Sequence, residues 1–104
     1  MALHEPLTSK VFERVNEAAL SQAEAIVRVW LPNGRLQGDE YLALNPKRDD
    51  RRLGAFRVNV RSGRWADFAI HVRGGDLISL AAYLGDCSQS EAARRLASTL
   101  GIER

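Results

Sequence analysis

Residues 45–80 read NPKRDDRRLGAFRVNVRSGRWADFAIHVRGGDLISL, and this stretch decides the fold. Within it, residues 55–60 alternate, with Phe56 and Val58 on one face, which predicts a β-strand with one buried face. The turn sequence Arg61-Ser62-Gly63 leads into a second strand. Gly74-Gly75-Asp76 then precedes an apolar run, which predicts a helix with its aspartate as the N-cap. The stretch therefore predicts a β-hairpin followed by a helix.

The length of the hairpin turn determines which side chains face the core. A three-residue loop at 61–63 pairs Arg57 with Asp67 as a cross-strand ion pair and puts Trp65 on the polar, outward face. A two-residue loop at 62–63 instead puts Asp67 on the apolar face, where an unpaired carboxylate would be costly. We therefore predict the three-residue loop, with an apolar face made of Phe56, Val58, Ala66 and Phe68.

Helices are predicted before the hairpin. Apolar residues recur at helical spacing from Thr8 to about Leu20. Ser21 and Glu24 have the spacing of a capping box, which predicts that a second helix starts there. Pro32 and the residues after it end that helix.

The remaining elements complete an α+β fold. A short strand at 40–44 precedes the hairpin, and a last helix is predicted between a Ser88–Glu91 capping box and Gly101. We expect a small three-stranded antiparallel sheet packed with N-terminal and C-terminal helices. The chain is expected to be one compact unit overall, with an N-terminal helical arm at 1–37 and the sheet-containing domain at 38–104.

Charge is concentrated in the hairpin region. The chain has 104 residues and a formal net charge of +2, which fits a single domain. Residues 45–76 contain eight Lys or Arg and four Asp or Glu, a net charge of +4, so the rest of the chain carries −2. A basic hairpin on a mildly acidic body predicts a nucleic-acid-binding module.

Several classes of protein are disfavoured by composition. One cysteine, Cys87, permits no internal disulfide, and a cytoplasmic location is the default expectation. No apolar run has the length of a membrane span, and the N-terminus lacks a signal-peptide core. His4 and His71 are isolated, and we find no nucleophile elbow, phosphate-binding glycine loop or triad. We therefore expect no metal, cofactor or catalytic site.

Several short motifs occur in a fixed order. They are Asn45-Pro46-x-Arg48-x-Asp50, Gly54-x-Phe56-x-Val58-Asn59, Gly63-x-Trp65-x-Asp67-Phe68-Ala69, Gly74-Gly75-Asp76-Leu77-Ile78-x-Leu80 and Ser88-x-Ser90-Glu91-Ala92-Ala93-x-x-Leu96-Ala97. Their order and spacing resemble the N-terminal zinc-binding domain of bacterial DNA primases, most closely the versions in primase-helicase proteins of phages and mobile elements. The resemblance covers about residues 38–101. It implies a zinc-ribbon-like sheet and recognition of a single-stranded DNA template.

The chain departs from that family at the metal ligands. Zinc-bearing members use Cys-x-x-His and then Cys-x-x-Cys, and alignment on Phe56 and Asp76 puts these positions at Asn45, Arg48, Asp67 and about Ile70. These four do not make a tetrahedral zinc site. The resemblance therefore implies a zinc-free form, in which hydrogen bonds of the Arg57–Asp67 pair and of Arg48 replace ligation.

The candidate nucleic-acid-binding residues are Arg48, Arg51, Arg52, Arg57, Asn59, Arg61, Arg64, Trp65 and Arg73. Guanidinium groups suit phosphate because they donate paired hydrogen bonds and stay charged. Trp65 on the basic face is predicted to stack on an unpaired base. Two alternatives remain: a solvated loop with internal ion pairs to Asp49, Asp50 and Asp67, and a Trp65 that belongs to the core.

The expected function is non-catalytic binding of single-stranded DNA template in phage or mobile-element DNA replication or priming. The expected partners are single-stranded DNA and a primase, helicase or other replication protein, with no membrane. The alternative is a small phage-type protein-interaction module or inhibitor, which would bind a host or defence protein through the same basic face. An apolar patch left on the N-terminal helices would favour that alternative.

Overall fold

The computed structural model describes residues 8–49 and 51–102, so His4 and Asp50 lie outside the described residues. In chain order the elements are α1 (Ser9–Leu20), α2 (Ala23–Trp30), β1 (Arg35–Gln37), β2 (Glu40–Ala43), β3 (Phe56–Asn59), β4 (Trp65–Asp67), β5 (Val72–Gly74), α3 (Leu77–Gly85) and α4 (Gln89–Leu100). The α+β class is as predicted. No helix within the described ranges is long and apolar enough to cross a bilayer.

The sheet has five antiparallel strands in the order β1-β2-β3-β4-β5, so the prediction of three strands is wrong. The three predicted strands are β2, β3 and β4. The edge strands β1 and β5 have three residues each, which is too short for an alternating pattern to stand out. β1 joins β2 through the two-residue turn Gly38-Asp39, where Gly38 has a φ of 63°, a conformation that glycine adopts without strain.

The predicted hairpin register is wrong by one residue. β3 pairs with β4 so that Val58 lies opposite Trp65 and Phe56 lies opposite Asp67. The amide of Asn59 donates to the carbonyl of Arg64 at 2.7 Å, so the loop has four residues, 60–63. Because side chains alternate between faces, the one-residue difference moves Trp65 and Asp67 to the inner face.

The physical reason lies in the partners of Asp67. We expected a buried carboxylate there to be unpaired, but Arg48 and Asn45 both donate hydrogen bonds to it. The predicted Arg57–Asp67 ion pair is also wrong, since Nε of Arg57 donates to the carbonyl of Gly54 at 2.6 Å. A carboxylate whose hydrogen bonds are satisfied can be buried at far lower cost than an unpaired one.

The inner face of the sheet packs against the helices in one core. The buried residues include Tyr41, Phe56, Val58 and Trp65 from the sheet, Val15 and Ala19 from α1, Val27 from α2, Leu77, Ile78 and Leu80 from α3, and Ala93 and Leu96 from α4. α1 packs on α3 and α4, which places the N-terminal helices within this core. The division of the chain at 37 and 38 stays a prediction.

Most helix caps follow the sequence prediction. Asp76 accepts from the amide of Ser79 at 2.8 Å, Ser88 accepts from the amide of Glu91 at 3.0 Å, and Gly101 ends α4 with a φ of 75°. The capping box at Ser21 is wrong. Ser21 ends α1, where its hydroxyl donates back to the carbonyl of Ala18, and α2 starts at Ala23 without a side-chain cap.

Candidate nucleic-acid interface

The outward face of the sheet carries a row of arginines. The strand register aligns one residue from each strand across the whole sheet, in the order Arg35, Leu42, Arg57, Ala66 and Arg73. Asn59 and Arg64 lie on the same face two residue pairs beyond Arg57 and Ala66, since the amide of Asn59 donates to the carbonyl of Arg64. The four arginines of this face are exposed. We call Arg35, Arg57, Arg64 and Arg73 the arginine face.

Among the described residues, none of these four arginines has an acidic partner. Within residues 8–49 and 51–102, no carboxylate lies at ion-pair distance from the arginine face, and Nε of Arg57 donates instead to the carbonyl of Gly54. Like charges gathered on a surface without counter-charges attract a polyanion. The arginine face is therefore available for phosphate groups.

Phe68 stands beside the arginine face. It follows β4 directly and is 63% exposed, and its ring centre lies 6.0 Å from the guanidinium carbon of Arg57. This is within the range of a cation–π contact. The sequence prediction placed Phe68 on the apolar inner face, which is wrong for the same one-residue reason. The alternative of a two-residue loop moves the side chains of the second strand to the opposite faces of the sheet, and it would have predicted an outward Phe68.

A shallow depression of about 340 Å³ opens on this face. Its walls are Glu40, Arg57, Asn59, Ser62, Arg64, Trp65, Ala66, Phe68, Arg73 and Gly74. Glu40 is the acidic member of this set, and it accepts a hydrogen bond from Nδ2 of Asn59 at 2.8 Å. The depression thus combines three arginines with an exposed phenyl ring.

Asn59 has a structural use for its side chain. Its Oδ1 accepts from the amides of Arg61 and Ser62, both at 2.9 Å, and so stabilises the four-residue loop. Arg61 in that loop is largely exposed and lies 3.9 Å from Asp39. Asn59 is therefore a turn residue whose amide lines the depression.

The other predicted arginines lie outside the depression. Arg48 pairs with the buried Asp67, and Arg51 pairs with the exposed Asp49 at 3.3 Å. Arg52 is exposed in the loop between β2 and β3. None of the three lines the depression. The ion pairs of Arg48 and Arg51 agree with the alternative interpretation, in which the arginines pair with aspartates of the same chain.

Trp65 does not lie on the basic face, and that prediction is wrong. The residue is 5% exposed, and its Nε1 donates to the hydroxyl of Ser79 at 2.9 Å. Its ring centre lies 5.0 Å from that of Tyr83 and 6.3 Å from that of Phe56. Trp65 is a core residue, as the alternative interpretation held, although it also lines the depression.

Three of the four positions that the sequence resemblance aligns with zinc ligands form a polar cluster. Nδ2 of Asn45 lies 2.8 Å from Oδ2 of Asp67, and Nε of Arg48 lies 2.7 Å from the same oxygen. Ile70, the fourth position, is exposed. Burial of Asp67 by itself raises the pKa of its carboxyl group. The hydrogen bonds from Arg48, Asn45 and the Ala69 amide, together with the charge of Arg48, lower that pKa by more than burial raises it, so the net shift is downward.

Comparison with models of known protein families gives no match, and neither does comparison with curated proteins. Among solved structures, the chain is similar to the crystal structure of the Aquifex aeolicus primase that contains the zinc-binding and RNA polymerase domains. The identity is 25% and the TM-score is 0.71, over 91% of this chain and 22% of that chain.

The chain therefore has a primase-like fold over nearly its whole length. It spans about a fifth of the Aquifex aeolicus primase chain, 22% of its residues. The sequence resemblance to a primase domain is supported by this structural likeness.

Proposed function

We propose that this protein is a non-catalytic module that binds single-stranded DNA on the outward face of its sheet. One observation carries the proposal: an exposed phenyl ring, Phe68, stands beside arginines that have no acidic partner in the described part of the chain. The primase-like fold supports a nucleic-acid-related role.

Each part of the face suits one part of a nucleotide. Arginines bind phosphates through paired hydrogen bonds and a permanent charge. An exposed aromatic ring stacks on a base, but a base offers its flat face only where the strand is unpaired. The combination of Phe68 with the arginine face therefore favours single strands over duplex DNA.

The wider context is proposed on the resemblance. We infer that the module recognises template in DNA priming or replication, with a primase, helicase or other replication protein as its partner. A phage or mobile element is the proposed setting, because the motifs are closest to those versions. We also infer that the protein acts without bound zinc, since the ligand positions hold Asn45, Arg48, Asp67 and Ile70.

Fluorescence anisotropy of a labelled single strand, titrated at several salt concentrations, tests the proposal. A base–aromatic stack contributes about 1–3 kcal/mol, so Phe68→Ala should weaken binding by roughly 5- to 150-fold. Val29→Ala is the matched control, because Val29 on α2 is also an exposed apolar residue, at 76%. A duplex of the same sequence should bind more weakly than the single strand.

Two results would contradict this function. The first is equal binding of single strand and duplex with no effect of Phe68→Ala, which would reduce the face to a nonspecific basic patch. The second is no binding at low salt, where electrostatic attraction is strongest.

The second result would favour a protein-interaction module. One observation supports that candidate: an apolar groove of about 350 Å³ lies between α2, α3 and α4. Its walls include Trp30, Leu84 and Leu96. A pull-down with the wild-type protein and with a Leu84→Glu variant would then test the groove as the contact surface.

A further inference from the structure

The solved primase that this chain is similar to contains a zinc-binding domain, so the chain can be tested for a fit to zinc. Structural zinc needs four nitrogen, sulfur or carboxylate ligands in a tetrahedron. The four positions that the sequence resemblance aligns with zinc ligands offer one carboxylate, one amide, one guanidinium and one aliphatic side chain. A guanidinium does not lose its proton in a protein, so Arg48 cannot ligate a cation. These residues do not fit zinc.

No substitute ligand set is found elsewhere in the described parts of the chain. Across residues 8–49 and 51–102, no three His, Cys, Asp or Glu residues are grouped closely enough to hold a metal ion. Cys87 lies half-buried in the turn between α3 and α4, far along the chain from the hairpin.

We propose that Asn45, Arg48 and Asp67 perform the structural task of the missing metal, so that this primase-like fold is stable without zinc. The observation is that three of the four ligand positions still converge on one point. They meet at the carboxylate of Asp67, which is 0% exposed. We call these three residues the Asp67 cluster.

The hydrogen bonds of the Asp67 cluster are complete. Oδ2 accepts from Arg48 Nε at 2.7 Å and from Asn45 Nδ2 at 2.8 Å. Oδ1 accepts from Arg48 Nη2 at 3.2 Å and from the amide of Ala69 at 2.9 Å. Four donors surround one buried carboxylate, and two of the donors belong to the Arg48 cation. These hydrogen bonds fix the positions of the surrounding groups, as four ligands do around a metal ion.

The cluster joins three separate segments of the fold. Asn45 and Arg48 belong to the loop after β2, and Asp67 ends β4, so the cluster closes that loop onto the hairpin. Asn45 Nδ2 also donates to the hydroxyl of Tyr83 on α3, at 2.9 Å. The loop, the sheet and a helix are thereby held together through one residue.

The first test uses the wild-type chain and does not depend on a variant. The protein is unfolded in denaturant with a strong chelator, refolded without added metal, and its thermal midpoint and zinc content are measured. A protein that relies on structural zinc does not refold under these conditions. We expect full recovery of the midpoint and no stoichiometric zinc. Loss of the midpoint, or recovery only on addition of zinc, would overturn the proposal.

The second test asks whether the cluster holds the fold. Arg48→Met removes the charge and leaves Asp67 buried without its main partner, which should lower the thermal midpoint by more than about 12 °C. Arg51→Met is the control, since its ion pair with Asp49 is more than four-fifths exposed and should shift the midpoint by less than about 4 °C.

The comparison of the two variants decides the outcome. An Arg48→Met chain that fails to fold while Arg51→Met folds is the expected loss in its extreme form. Equal midpoints for the two variants would overturn the proposal, whatever the zinc content. Neither test measures DNA binding, so a failure of the proposed function leaves this inference standing.

Discussion

Arg48 and Asp67 form a bidentate ion pair inside the protein, with Nε to Oδ2 at 2.7 Å and Nη2 to Oδ1 at 3.2 Å. The two residues are 19 positions apart in sequence, in a loop and at the end of a strand. Their pairing permits the hairpin register that exposes Phe68 and buries Trp65. The proposed binding face and the Asp67 cluster therefore both depend on one strand register.

Because of this ion pair, the free energy of unfolding should decrease at acidic pH. The pKa of Asp67 is lowered in the folded protein, so its ionised form stabilises the fold above the unfolded-state pKa of about 3.9. This contribution is lost as the pH falls below about 4 and through the lower folded-state pKa. Asp67→Asn should therefore be less stable than wild type at neutral pH, and the difference should narrow at acid pH.

Denaturant unfolding from pH 2 to 7 measures this dependence. Asp49→Asn is the control, because Asp49 is exposed and pairs with an exposed arginine. A constant difference between wild type and Asp67→Asn over the whole range would show that the charge of Asp67 does not stabilise the fold. The side chains that donate hydrogen bonds to Asp67 are those of Arg48 and Asn45.

Two adjacent glycines should respond differently to alanine. A Cβ on Gly74 would lie 2.4 Å from Nε1 of Trp65 and 2.4 Å from the hydroxyl of Ser79, whereas a Cβ on Gly75 would meet nothing within 4 Å. Gly74→Ala should therefore break the Trp65–Ser79 hydrogen bond and cost about 1–3 kcal/mol. Gly75→Ala should stay within about 0.5 kcal/mol of wild type. Chemical denaturation of both variants tests the close approach of β5 to Trp65.

Trp65 should behave as a core residue rather than a DNA contact. Trp65→Ala removes a buried ring in contact with Phe56 and Tyr83, so it should cost about 3–5 kcal/mol of stability. DNA affinity per folded molecule should change much less than in Phe68→Ala. A stable Trp65→Ala variant with reduced DNA binding would instead restore Trp65 as the stacking residue.

The arginine face should set the salt dependence of binding. Each phosphate contact on a single strand contributes about 0.7 to the slope of log affinity against log salt. Arg35→Ala and Arg73→Ala, at opposite edges of the sheet, should each reduce the slope by about that amount. Arg95→Ala on α4, where the arginine pairs with Glu91, is the control. An unchanged slope in both edge variants would remove the arginine face from the interface.

Local signals in the sequence predicted much of the fold. The caps at Asp76, Ser88 and Gly101 were found because a cap is decided by residues three or four positions apart. The hairpin and the helices after it were also predicted from residues that are close together in sequence. The edge strands were missed because three residues show no period, although Gly38-Asp39 is a turn signal that indicates β1.

The candidate site was less accessible from sequence. The basic character of the hairpin was evident, and Arg57, Arg64 and Arg73 are on the outward face. The sheet face on which Trp65 and Phe68 lie could be predicted only by knowing whether a buried Asp67 has hydrogen-bond partners. Those partners, Asn45 and Arg48, lie 22 and 19 residues earlier, and no local pattern announces such a pairing.

The register-aligned row of the arginine face, from Arg35 through Arg57 to Arg73, also predicts the length and the direction of a bound DNA strand. From Arg35 to Arg73 it crosses four interstrand steps of about 4.8 Å each, so its ends lie about 19 Å apart. A stacked strand advances about 3.4 Å per nucleotide, so about six nucleotides span the row. DNA that follows the row crosses the β-strands instead of running along them, and affinity should stop rising once an oligonucleotide reaches about this length.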